Sequence, residues 1–458
     1  MTTTADGTAP AAASSRISAY AWLVFALVFG LMLSNYMSRQ VVTVLFPFLK
    51  QVWDFSDTQL GSLVSVVALT VGVFTLPVSI LVDRYGKVLA TTLMALAWGL
   101  ATVGAGLATG FVFLLVLRIL LGIAQAGFGS AGGAVLLGIF PPRLHSTVMG
   151  AFLAAGLFGS VIGVVLGGVV ASHYGWRAAF FVTGGVALPL AVAFRLLVRE
   201  AAGAAPAAGS QTVEPRIPLR EIMPQVFSAP TAVYIYFACG LQMFTVGAVL
   251  AWMPSYLYRY YEMPVAEAGA KAGMLVLISA IGMTLGGAIV DRLSRRAPGR
   301  KLLITAAYAA ATMSLLLLAF LQTPGTLQFS LIALGMFFSG AHSGPSSAVA
   351  TAVNDPRIHA TVLATVALAI SLLGMAPGPF VTGAIADATD LNTAMSVMPV
   401  ASLLACILFL LAKRTFSKDM ARFAAEPGGS LEALEEEVLG VDLHTHESSA
   451  DVDSRQEN

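Results

Sequence analysis

Two short phrases each occur twice in this chain, and that duplication limits what it can fold into more than any other feature. Pro142-Arg143-Leu144-His145-Ser146-Thr147-Val148 returns as Pro356-Arg357-Ile358-His359-Ala360-Thr361-Val362, 214 residues later. Ser79-x-x-x-Asp83-Arg84-x-Gly86-Lys87 returns as Gly287-x-x-x-Asp291-Arg292-x-Ser294-Arg295, 208 residues later. The copies link long apolar runs. Two motifs recurring in the same order at nearly the same spacing mean that one half of the chain repeats the other, inside a membrane. That arrangement points to a secondary transporter with its site between the halves.

The membrane reading agrees with composition: hydrophobic residues make up 57% and charged residues 11%, where soluble domains carry about 25% charged residues. A helix needs roughly 20 apolar residues to cross about 30 Å of hydrocarbon. Twelve runs qualify, near 20–46, 58–82, 88–109, 111–139, 146–171, 177–198, 229–256, 266–290, 300–321, 327–353, 358–386 and 392–413. The expected chain is all-α: a disordered cytoplasmic N-terminus over 1–19, a six-helix bundle over 20–198, an Ala- and Pro-rich linker over 199–228, a second bundle over 229–413, and a tail over 414–458. Within that tail Glu426 to Asn458 holds ten acids and one base. With both termini inside, eighteen Lys and Arg fall on the cytoplasmic side, against Lys50, Arg177, Arg259 and Lys271 outside. That asymmetry sets the orientation. The first 19 residues lack the basic region and cleavage site of a secretory signal, so the first span is expected to remain. Localisation is expected in a bacterial inner (plasma) membrane.

Twelve spans, a 6+6 repeat and the Asp83-Arg84-x-Gly86-Lys87 loop after the second span resemble the major facilitator superfamily over residues 20 to 414. Ser79 replaces the usual first Gly and Val88 the second base, while the later copy keeps Gly287, Arg295 and Arg296. The resemblance implies a cytoplasmic latch in which Asp83 caps a neighbouring helix N-terminus and Arg84 pairs with an acid. Asp291 and Arg292 repeat that role, and breaking the latch accompanies rocking to the outward-open state. Within the superfamily, Asn35-Tyr36-Met37-Ser38-Arg39, Arg118-Ile-Leu-Leu-Gly122-Ile-Ala-Gln125-Ala126 and Trp252-Met-Pro254 are similar to segments of Spinster-like transporters and of anion:cation symporters for organic anions. Two positions depart. Ser38 stands where those families usually have Asp and Gln125 where they have Glu, the usual proton carriers.

A charged side chain near the bilayer centre costs at least about 2.5–3.5 kcal/mol, so a cation kept there faces a cavity or a partner. Arg39 and Arg118 are the two clear cases. Each lies seven residues from the outer edge of its apolar run, which at 1.5 Å per residue places both roughly 10 Å below the outer surface. Two guanidiniums at one depth suit a carboxylate, phosphate or sulfonate through paired hydrogen bonds. The alternative is that backbone carbonyls of broken helices hold them, or that they snorkel outward. Asn35, Tyr36, Gln125, Gln242 and His342 complete the expected substrate-binding set. His342 is also the remaining titratable group within the spans, hence the candidate proton site.

Other signals carry less. Gly127-Phe-Gly129-Ser-Ala-Gly132 matches a dinucleotide fingerprint but lies inside a span with no strand before it, so it reads as helix packing. Gly159, Gly163 and Gly167 form small-x-x-x-small steps. Gly374-Met-Ala-Pro377-Gly-Pro379 must loosen its helix. His444 and His446 have no further ligands at metal spacing, and no cofactor, metal, nucleic-acid or enzyme motif is present. The chain is therefore expected to be a monomeric carrier of a small organic anion, working by alternating access in a lipid bilayer. The alternatives are a Spinster-like carrier of lysolipids or amphiphilic anions, and a non-transporting sensor on the same fold.

Overall fold

The computed structural model describes residues 18–198, 219–294 and 299–424, and among these residues all regular structure is helical. The linker beyond Val198, the bases Arg295 and Arg296 and the acidic tail lie outside the described residues. The first half contains α1 (Ala19–Trp53), α2 (Asp57–Tyr85), α3 (Lys87–Gly106), α4 (Phe111–Gln125 continuing as Phe128–Ile139), α5 (His145–Tyr174) and α6 (Trp176–Gly185 continuing as Ala187–Leu197). A short helix, Leu219–Val226, leads into the second half. That half contains α7 (Pro230–Tyr260), α8 (Val265–Ser294), α9 (Arg300–Phe320), α10 (Thr326–Ala341 and Ser343–Ala352), α11 (His359–Ala369 running on to Pro377–Ala388) and α12 (Leu391–Val397 and Val400–Ala424). Both duplicated Pro-Arg phrases form a single 3₁₀ turn, Pro142–Leu144 and Pro356–Ile358, before α5 and α11. Each begins with a proline whose missing N–H costs nothing in a first turn.

Twelve spans result, in two six-helix bundles. Eleven helical stretches are long and apolar enough to cross a membrane as they stand. The twelfth is α10, which breaks at His342, and α4 breaks at the corresponding place, Ala126–Gly127. The loosening expected in α11 takes the form of a π turn over Ile370–Met375. Pro377 has no N–H to give the preceding turn, and the ladder widens so that Ala376 N–H reaches the carbonyl of Ser371 at 2.9 Å.

Glycines set how close the helices come. The step Gly159, Gly163, Gly167 lies flat against α1, and a Cβ on Gly163 would stand 2.7 Å from the Cα of Met37. In the fingerprint-like run, Gly127 packs on Val78 and Gly132 on Phe152, whereas Gly129 faces open space.

The apolar core shows how the halves meet. At the end away from the termini, one continuous core includes Phe46, Leu49 and Leu60 from the first half and Trp252, Tyr256 and Leu275 from the second. Toward the terminal end it splits into two separate cores, one built on Leu31, Trp98, Phe128 and Phe194, the other on Ile235, Leu302, Val362 and Phe409. Cross-half packing follows the same division. Gly269 and Gly273 of α8 rest on Val164 and Val161 of α5. Along α2 and α11 the close approaches run from Asp57–Gly383 and Gly61–Pro379 to Gly72–Leu372, midway down both helices.

Gly163→Ala should lower thermal stability by about 1–3 kcal/mol through overpacking, despite alanine's better helix propensity. Gly150→Ala on the same helix, where an added Cβ meets nothing within 4 Å, should be neutral or stabilising. Unfolding midpoints of the two purified variants compare them directly.

Candidate functional site

Arg39 lies on the face of α1 that looks toward the second half. Phe46, two turns further on at i+7 and hence on the same face, meets the Trp252 ring of α7 with centroids 5.1 Å apart. The opposite face of α1 is taken up by α5, which packs on Leu33 and Met37. Arg39 is partly exposed, and its guanidinium makes no hydrogen bond or ion pair within the described residues. Tyr36, one helical turn back, is also partly exposed, with its ring against Gly156.

Arg118 is placed differently. It is 1% exposed, and its Nη1 donates to the main-chain carbonyls of Ser38 at 3.1 Å and Arg39 at 3.4 Å. The Phe180 ring lies 5.4 Å from its guanidinium carbon. The two arginines share a depth, since one reaches the backbone of the other. They do not face the same space: Arg39 looks between the halves and Arg118 is folded into the first bundle. Gln125, 6% exposed, donates through Nε2 to the carbonyl of Asn35 at 2.9 Å, bridging α4 to α1 just before the α4 break.

The second-half candidates are enclosed. Gln242 donates to the Thr312 hydroxyl at 3.2 Å. His342 sits at the α10 break with Nδ1 2.7 Å from the carbonyl of Ser339 and its ring 6.4 Å from that of Phe409. Both side chains are fully buried.

The strongest polar contacts between the halves lie elsewhere, at the end away from the termini. The first turn of α2 has backbone N–H groups without intrahelical partners. A capping box between Ser56 and Gln59 satisfies two of them. Asp387 at the end of α11 satisfies the next two, its Oδ1 accepting from Asp57 N–H and its Oδ2 from Thr58 N–H, both at 2.7 Å. The Thr58 hydroxyl adds a third bond at 2.6 Å. Asp57 in turn takes a two-pronged grip from Arg259 of α7 at 2.6 and 2.8 Å, and a bond from Lys50 at 2.8 Å. Nearby, Asp390 caps Leu391–Val397, and the Thr393 hydroxyl and N–H hold its carboxyl below the usual range.

The residues expected to form a latch lie at the other end. Arg84 is exposed, 5.8 Å over the Tyr85 ring. Asp83 lies in the last turn of α2, its side chain outside the described set. Asp291 pairs with Lys301 at 3.4 Å within the second half, and Arg292 is exposed. Sequence reasoning passed over Asp57 and Asp387. Their signal was position: each is an acid at the edge of an apolar run, at the same end of the spans as the bases Lys50 and Arg259 in the last turns of α1 and α7. A pocket of about 400 Å³ lies at the terminal end beside the Leu219–Val226 helix, lined by Asp355, Asp419 and Arg422 among others, remote from Arg39.

Residues 28–376 match the sequence profile of the Major Facilitator Superfamily. Over 365 residues the chain is 25% identical to the hexuronate transporter of Bacillus subtilis, covering 78% of this chain and 85% of that one. Over 401 residues it is 27% identical to an MFS-type efflux pump of Mycolicibacterium smegmatis, covering 84% and 91%. The fold superposes with a TM-score of 0.79, at 22% identity, on a bacterial homologue of the human lysosomal transporter Spinster crystallised in an inward-facing, unoccupied conformation, covering 88% of this chain and 98% of that one.

Asp387→Asn removes the charge from three short hydrogen bonds across the halves, which should weaken the closed end by about 1–2 kcal/mol. A cysteine placed at Val64, in the shared core of α2, reports this in a background lacking Cys239 and Cys406. Alkylation by a polar maleimide should run about tenfold faster in the Asp387→Asn protein. Equal rates would mean that Asp387 does not hold the halves together.

Proposed function

The chain belongs to the major facilitator superfamily of membrane transporters, and we propose that it carries a small organic anion of carboxylate type by alternating access between its two six-helix halves. The observation that carries this reading is Arg39: a guanidinium at membrane depth, without an acidic partner among the described residues, on the face of α1 turned toward the other half. A cation there is costly unless it meets an anion, and the planar fork of arginine binds a carboxylate through two parallel hydrogen bonds. Tyr36 and Asn35 flank it. Gln125 and Arg118 stand one layer behind and fix the backbone that presents it, while Gln242 and His342 are enclosed within the second half. The hexuronate transporter among its relatives supports a sugar acid or similar solute.

With both termini in the cytoplasm, as the distribution of Lys and Arg favours, the joined end of the molecule is the outer end. This conformation is then inward-facing. Rocking outward requires Asp57 and Arg259 to part and Asp387 to leave the first turn of α2, while the cytoplasmic ends of α2 and α8, carrying Asp83, Arg84, Asp291 and Arg292, come together. Ser38 and Gln125 carry no titratable proton, so coupling to a proton gradient is weaker than in relatives with carboxylates there, and His342 or the anion itself is left to carry the proton.

A relative from Arabidopsis thaliana named as a probable sphingolipid transporter, 25% identical over 343 residues, keeps an amphiphilic anion as the second reading. Uptake of a labelled hexuronate into proteoliposomes separates the two. Short carboxylates should compete and lysophospholipids should not. Arg39→Lys should weaken uptake affinity at least about tenfold, although the charge is kept. Normal affinity in Arg39→Lys would remove Arg39 from the site, and competition by lysophospholipids alone would favour the amphiphile.

A further inference from the structure

The first half of the molecule holds a buried cation with no carboxylate partner among the described residues. Among its described residues there are three acids, Asp54, Asp57 and Asp83. All lie at helix ends, and Asp57 is already engaged by Lys50 and Arg259. Arg118 is 1% exposed in the middle of that half. One of its nitrogens is taken up by the carbonyls of Ser38 and Arg39, while Nε and Nη2 are buried without a hydrogen-bond partner. Burying a charge and leaving its donors unpaired are both costly.

Other donors without partners lie on the stretch of α1 whose backbone Arg118 reaches. The hydroxyls of Ser34 and Ser38 and the amide Nδ2 of Asn35 are also buried and unpartnered. Ser34 and Ser38 are one helical turn apart, so they share a face of α1, and the Ser38 carbonyl is 3.1 Å from the Arg118 guanidinium. Buried helical serines ordinarily turn back to a carbonyl three or four residues earlier, as Ser160 does to Gly156. These two do not. The result is a cation and several neutral groups with unused donors on adjoining stretches of α1 and α4, joined by the Arg118–Ser38 and Gln125–Asn35 contacts; the oxygen of Gln125 is unpartnered as well.

We propose that Arg118, Ser38 and Ser34 form an internal site for one small monovalent inorganic anion of halide size, between α1 and α4 and separate from the organic substrate held at Arg39. One negative charge neutralises Arg118. A spherical ion accepts from guanidinium and hydroxyl donors without demanding a planar geometry. Size is set by the packing around the site. α1 is pinned from behind by α5, where Gly159 and Gly163 lie on the backbone of Leu33 and Met37. α4 is pinned by α2, where even a Cβ on Gly122 would come within 3.0 Å of Thr70. Neither helix has room to retreat for a larger anion. The bound ion supplies the charge that Ser38 and Gln125 lack, and it stays in place while the halves rock because every residue that holds it belongs to one half.

The test is thermal unfolding of the full chain in detergent, in sodium chloride against sodium gluconate at one ionic strength. Chloride should raise the midpoint saturably by about 3 °C or more, bromide should do the same, and sulfate should act like gluconate. Ser38→Asp places a carboxylate beside Arg118, so that protein should be stable in gluconate and indifferent to chloride. Ser38→Ala should raise the half-saturating chloride several-fold, and Arg39→Lys should leave it unchanged. The proposal is overturned by equal midpoints in chloride and gluconate, by a response to sulfate as large as that to chloride, or by unaltered half-saturation in Ser38→Ala. It is also overturned if Arg39→Lys abolishes the chloride response, which would put the ion at the substrate site. Should Ser38→Asp fail to fold, the Ser38→Ala and Arg39→Lys titrations decide.

Discussion

The first turn of α2 has four backbone N–H groups to satisfy, and two of them are met by a carboxylate from the opposite half of the molecule. This is the constraint on which the observed conformation depends. A helix start needs partners for its first N–H groups, and here the opposite half provides two of them. α2 supplies partners for Ser56 and Gln59 from its own capping box, and α11 supplies Asp387 for Asp57 and Thr58. The charge on Asp57 is then balanced across the same boundary by Arg259. Helix capping and ion pairing, usually local matters, here join the two bundles at one end.

That placement has a mechanical consequence. The shared apolar core and the clasp occupy the same end, while the bundles keep separate cores at the other. Each bundle is therefore complete in itself where the halves part and incomplete where they meet. A rigid-body change costs the clasp, a small set of charge-assisted hydrogen bonds, together with the shared core, and leaves the interior of each bundle intact. Tight glycine contacts within the first half, such as Gly163 on Met37, hold α1 and α5 together. The wider π turn in α11 sits where close contact with α2 ends, at Leu372 beside Gly72.

Much of this was legible in the residues. The duplicated phrases and apolar runs gave the two-bundle fold, because membrane burial leaves a strong, local signal in hydropathy. Helix ends were less accurate: α1 runs to Trp53, past the polar Lys50 and Gln51, since a helix does not have to stop where hydrocarbon does. The breaks at Ala126–Gly127 and His342 left no clear mark in composition. For the arginines, hydropathy gave depth and not direction. Arg39 and Arg118 read as equals, and only the packing of α1 between α4 and α5 distinguishes the guanidinium that faces the other half from the one folded behind it. The clasp was invisible because Asp57 and Asp387 are 330 residues apart, and no periodicity links them.

The halves are joined at one end and parted at the other, with Arg39 on the face between them. Spin-label distances in lipid nanodiscs measure this arrangement directly, with one pair at Val52 and Thr323 across the clasp end and another at Leu81 and Leu293 across the terminal end. The account predicts a narrow, short distribution for the first pair and a long one for the second in the absence of substrate. Any minor population should lengthen the first distance while it shortens the second. Two short distributions, or two distances that lengthen together, would contradict it.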